Sequence, residues 1–154
     1  MTARNPLDRW KFLVGEWRGQ SKDQFGGEGT IETSTMFSLE INGKFIMSRN
    51  EARRDGKLEN QSIGMLFYDV RNKRFLRKSF YSYGFVSNEV EYESSENEIR
   101  FEVVSEPTPQ AFDNMRWRSL IRKISDDEII EGLESAKEGE DFVTYGEDVM
   151  KRVK

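Results

Sequence analysis

Short stretches of apolar and polar positions are punctuated by turn residues about every ten positions, the spacing of an antiparallel meander, sandwich or barrel. Asn42-Gly43 and Asp55-Gly56 are strong two-residue hairpin signals. Gly26-Gly27, Tyr83-Gly84, Asn97, Asp126-Asp127 and Lys137 to Asp141 mark further turns. About ten strands follow from this punctuation. The exception is the start, where Asn5 suits a helix N-cap and Pro6 the first helical position. Leu7, Trp10, Phe12, Leu13 and Val14 then supply enough apolar surface to seal one end of a hollow fold, and the helix breaks at Gly15 into a strand carrying Trp17. The pattern predicts a closed all-β barrel in a single domain over residues 1–154.

The turns also predict which side chains meet. A two-residue turn at Asn42-Gly43 sets Leu39 opposite Ile46, and one at Asp55-Gly56 sets Ser48 opposite Ile63 and Ile46 opposite Met65. One face then collects Phe37, Leu39, Ile41, Ile46, Ile63, Met65 and Phe67, and the other Met36, Phe45, Met47, Leu66 and Tyr68. Both faces being apolar, one fills the barrel and the other lies under the helix, stays partly exposed, or offers a homodimer contact. A turn at Asp126-Asp127 sets Ile124 against Ile129, Arg122 against Glu131 and Leu120 against Leu133, and one at Tyr83-Gly84 sets Lys78 against Glu89. Pro107-Thr108-Pro109 reads as a stiff connection between strands.

Composition narrows the chemistry. The 154 residues contain no cysteine and no histidine. Disulfides, thiolate metal sites, histidine bases and Ser-His or Cys-His pairs are therefore excluded, and a cytoplasmic protein is expected. The net charge of -4 argues against a nucleic-acid partner, and the lack of a long apolar run against membrane insertion.

The run Phe12-Leu13-Val14-Gly15-Glu16-Trp17-Arg18-Gly19 resembles the opening motif of calycin-type barrels, especially the nitrobindin-like and fatty-acid-binding-protein-like (lipocalin-like) ones. The segments Gly43-Lys44-Phe45-Ile46 and Gly64-Met65-Leu66-Phe67-Tyr68-Asp69 are similar to domains of unassigned function in the same superfamily. The resemblance implies an up-and-down antiparallel barrel and a structural latch in which the first-strand tryptophan packs on a basic residue of the last strand. Its positions here are Gly15, Trp17 and Arg152. Nitrobindin-like barrels hold haem through a histidine of the last strands, which this chain lacks, so no cofactor is expected. A haem-binding relative with a non-histidine ligand, Tyr145 or a methionine, is an alternative, although Tyr145 reads first as a core or rim residue.

Candidate binding residues come from the strands that could line a cavity. Asn114 to Arg122 puts Arg116, Arg118 and Arg122 on one face and Met115, Trp117 and Ile121 on the other. Facing inward, Arg116 or Arg118 would anchor a carboxylate; facing outward, they are solvated charges, which is the favoured reading because an unpaired inward cation is expensive. Arg71, Lys73, Arg74, Arg77 and Lys78 read as a solvated basic surface, although Arg77, Ser79 and Tyr81 share a strand face that could line a pocket. Glu147 and Asp148 point to opposite faces and make a poor acid-base pair. The sequence thus predicts a barrel that binds a small hydrophobic molecule without catalysis. Its walls are Met65, Trp117, Tyr145 and Tyr81, and Arg77, Arg116 or Arg118 orients the ligand head. A dimeric interaction module with a filled barrel is the alternative.

Overall fold

In the computed structural model of the chain, residues 4–22, 29–106 and 114–154 are described. The turn at Gly26-Gly27 and the connection Pro107-Thr108-Pro109 lie outside the described residues. A 3-10 helix, Pro6–Leu13, leads into ten strands: β1 (Gly15–Lys22), β2 (Thr30–Glu40), β3 (Phe45–Arg54), β4 (Lys57–Asp69), β5 (Arg74–Tyr81), β6 (Val86–Ser94), β7 (Glu98–Glu106), β8 (Met115–Ser125), β9 (Glu128–Lys137) and β10 (Val143–Arg152). Each strand pairs antiparallel with its chain neighbours and β1 pairs with β10, closing the barrel without a free edge.

The helix seals one end by simple periodicity. Three residues per turn stack Leu7, Trp10 and Leu13 on one face, and all three are buried. Asn5 caps it, its Oδ1 accepting from the Leu7 N–H at 3.1 Å, with Pro6 at the first helical position. Beneath it lie the inward side chains of the nearest strand ends: Trp17, Phe37, Ile46, Leu66, Phe75, Ile99, Phe101, Ile121, Ile129 and Met150.

Three of the predicted registers are displaced by one residue, and each displacement has a local cause. A bulge between Ala52 and Arg53 puts Ile46 opposite Leu66 and Ser48 opposite Gly64. Because the side-chain period along a strand is two, this turns β4 over. Leu66 therefore points into the core, while Ile63, Met65 and Phe67 join Met36, Phe45 and Met47 on the outer surface, where the Phe45 and Phe67 rings lie 5.3 Å apart. A second bulge, between Lys123 and Ser125, pairs Ile121 with Glu131 and Leu120 with Gly132. Glu131, expected outside with Arg122, is thereby drawn inside. The loop after β5 is one residue longer than a two-residue turn, with the Tyr81 N–H bonded to the Phe85 carbonyl at 3.1 Å, so Glu89 faces Arg77 and not Lys78.

Candidate functional site: a polar chamber in the barrel

Beyond the apolar end, the inward positions of the same strands change character. Ser48, Gly64, Ser79 and Ser87 stand opposite one another across β3 to β6, forming a belt of small residues. A Cβ added at Gly64 would lie 2.7 Å from the Ser48 hydroxyl and 2.9 Å from that of Ser79, so the belt has no room for a larger residue there. These side chains are too short to fill a ten-stranded barrel, and a chamber of about 230 Å³ remains. Thr35, Asn50, Ser62, Arg77, Tyr81, Glu89, Val103, Ser119, Glu131, Leu133 and Asp148 line it with Ser48 and Ser79.

A buried ion pair spans one wall. Arg77 meets Glu89 through two parallel contacts of 2.6 Å, Nε to Oε2 and Nη2 to Oε1. Ser119 donates to Glu89 Oε1 at 2.6 Å and accepts from Arg77 Nη2 at 3.2 Å. Phe101 lies under the guanidinium, its ring centre 5.2 Å away. Glu89 is only 3% exposed, so its charge depends on these partners. Burial works against the Arg77 charge, yet Glu89 more than offsets it and holds the group above the ordinary arginine value.

The opposite wall carries two carboxylates with poorer company. Glu131 and Asp148 are direct cross-strand partners on β9 and β10, both turned inward. The nearest cation to Glu131 is Arg77, whose Nη1 stands 4.0 Å away while its Nε and Nη2 are held by Glu89. Asp148 Oδ1 is shut off from solvent and has no hydrogen-bond partner. Burial pushes the Glu131 pKa up against the pull of Arg77, and the charges of Asp148 and Glu89 raise it further. Burial likewise raises Asp148, with the Ser21 hydroxyl working the other way. Tyr81 is raised first by burial and then by Glu89.

The sequence candidates separate on this geometry. Arg77 and Tyr81 line the chamber. Met65 sits on the outer surface for the reason given above. Arg116 and Arg118 also point outward: Arg118 lies over Tyr92 at 4.4 Å and Phe142 at 4.0 Å and pairs with Glu102, and Arg116 donates to the Glu140 carbonyl at 2.6 Å. Trp117 and Tyr145 meet edge to face, 5.0 Å apart, at the end away from the helix, and neither is part of the chamber wall. At the other end Arg152 lies 4.4 Å over Trp17, donates to the carbonyls of Val14 at 2.8 Å and Phe12, and reaches the Asp126 carbonyl at 3.1 Å. Gly15, at φ 128°, leaves the room the guanidinium needs, since a Cβ there would lie 3.0 Å from Arg152 Nη1. Glu89, Glu131 and Asp148 were not among the candidates; only the correct register reveals them. The expectation of apolar walls is corrected as well, because hydroxyl, amide and charged groups dominate the lining.

Comparison with known proteins fits this architecture. The model of a family described as "Protein of unknown function (DUF1579)" matches residues 7–152. Rv2717c from M. tuberculosis has a similar fold, with a TM-score of 0.73 at 19% identity over 96% of this chain and 97% of that one. An S-type phycobiliprotein lyase, CPES from Guillardia theta, gives a TM-score of 0.59 at 12% identity, covering 98% of this chain and 94% of that one. No curated protein matches. The lyase corrects one expectation: a barrel of similar fold carries an enzyme's name, so the lack of histidine and cysteine does not make this chain non-catalytic. No helix among the described residues is long and apolar enough to cross a membrane.

Proposed function

We propose, from the premise that this chain belongs to the DUF1579 family, that its barrel binds a small polar molecule in the interior chamber. The observation that carries this reading is the chamber wall, where the half-buried Glu131 and Asp148 stand directly opposite each other, the first with its nearest cation at 4.0 Å and the second with one carboxylate oxygen unpartnered. Carboxylates turned away from bulk water are ordinarily well partnered, and two under-partnered ones facing a polar, partly open chamber are what a bound molecule would complete. At about 230 Å³ the chamber is smaller than the roughly 300–1,000 Å³ of pockets for drug-sized ligands, which favours a compact occupant. The opening motif's likeness to nitrobindin-like and fatty-acid-binding-protein-like barrels supports an interior ligand in a general way. It does not bring haem with it, since Tyr145 packs on Trp117 away from the chamber lining.

Native mass spectrometry of the protein as isolated from cells tests the reading. The wild type is expected to carry a reproducible adduct, and Ser62→Phe, which pushes a ring into the chamber, is expected to lose it while keeping its circular dichroism spectrum. An adduct that persists in Ser62→Phe places the ligand elsewhere and overturns the proposal, as does a wild type at its bare sequence mass.

A further inference from the structure

We infer that the chamber selects a small organic cation, whose ammonium or amidinium group sits between Glu131 and Asp148; this rests on the interior-ligand reading. The argument is a charge count over the groups that face the chamber. From β5 come Arg77 and Tyr81, from β6 Glu89, from β9 Glu131 and from β10 Asp148. Glu89 is matched by the Arg77 fork, which neutralises both. Two carboxylates remain, with no further cation among the described residues of the wall. Among the described residues Glu131 accepts no hydrogen bond, and its contact with Arg77 is stretched to 4.0 Å.

Like charges at directly opposed ladder positions repel, so the Glu131 and Asp148 pair needs a positive charge or a proton between its members. Burial raises the pKa of each carboxyl, which favours a proton on the pair over two bare charges. A cation offering several N–H donors takes the place of that proton between the two carboxyl groups. A metal ion is disfavoured, because no three acidic groups among the described residues converge closely enough to ligate one. Val103, Leu133 and the Tyr81 ring supply an apolar flank, so a cationic head on a short organic body fits better than a bare inorganic ion. An anion meets the opposite situation: among the described residues the one guanidinium on the chamber wall gives Nε and Nη2 to Glu89, and its Nη1 faces Glu131, which would repel the anion.

Three probes with one skeleton separate the possibilities: benzylamine, benzyl alcohol and benzoate, titrated into the isotope-labelled protein while the amide resonances of the chamber strands are followed. Benzylamine is expected to bind tightest, and its affinity to rise with pH by up to about tenfold per unit while the carboxyl pair titrates. Benzyl alcohol should show no such dependence. Calorimetry of benzylamine binding in two buffers of different ionisation enthalpy should register proton release from the wild type. Glu131→Gln keeps the side-chain shape, and it should remove both the preference for benzylamine and the pH dependence. Benzyl alcohol or benzoate binding in the chamber as tightly as benzylamine overturns the cation inference and leaves the interior-ligand reading standing. Absence of chamber shifts with all three probes overturns both.

Discussion

The two halves of the barrel interior are built by the same ten strands and follow opposite rules. At the helix-capped end the inward positions are large and apolar, and the side chains of Leu13, Trp17, Ile99, Phe101 and Ile129 leave no measurable exposure. A few residues further along each strand they become Ser48, Asn50, Ser62, Ser79 and Ser119, and the space opens. Closing the barrel is thus the work of one end, which frees the other from close packing. Close apolar packing and open polar space are segregated along the barrel axis rather than mixed around it.

The largest effect expected from breaking this division is at Trp17, which contacts Arg152 and donates to the Leu13 carbonyl at 2.7 Å. Trp17→Ala should remove about 3–5 kcal/mol from the urea unfolding free energy. A loss below about 1 kcal/mol would mean that the capped end does not carry the fold. In the chamber the comparable lesion is electrostatic. Arg77→Met strands the Glu89 charge and should destabilise by about 3 kcal/mol, whereas adding Glu89→Leu to it should restore most of the loss. A double variant as unstable as the single one would show that the pair itself supports the barrel.

Whether these elements could be read from the chain depended on geometry more than on residue type. Strand number, closure and the capping helix follow from the spacing of turn residues, the Asn5-Pro6 start and the apolar run that leads into Trp17. The chamber did not follow, because Glu131 and the Arg77–Glu89 pair acquire their places from one bulge and one wide loop, and a second bulge decides which face of β4 is inside. Each is a single-residue irregularity. No side-chain pattern announces it, yet it reverses every inward and outward assignment beyond it.

Two smaller tests sharpen the contrast. Asn5→Ala removes the cap that seats the helix and should cost about 1 kcal/mol, visible as a lower urea midpoint at unchanged m-value. Glu131→Gln should act in the other direction. The folded-state pKa of Glu131 lies above its ordinary value of 4.5, so its protonated form suits the native state. That contribution is fully present below the ordinary value and is lost as pH rises through the folded one. The glutamine keeps it, so the melting temperature of the variant should match the wild type near pH 4 and exceed it at pH 8. A variant that melts below the wild type at both values would contradict the burial of that charge.

The seam between β1 and β10 has a consequence for how the chain comes to be folded at all. Residues 17–20 pair with residues 149–152, and the Arg152 guanidinium crosses to the carbonyls of Phe12 and Val14. During synthesis the first strand therefore leaves the ribosome long before its partner exists. The Trp17 edge waits through the whole length of the barrel, with backbone donors and acceptors unmet and the helix with nothing complete to cap. Closure is a late, long-range event, because the contact with the greatest separation along the chain forms last. It also lays the two sides of the seam next to each other, where a short linker between them and a new opening at an exposed turn such as Asp55-Gly56 should give a permuted chain whose barrel zips in a different order.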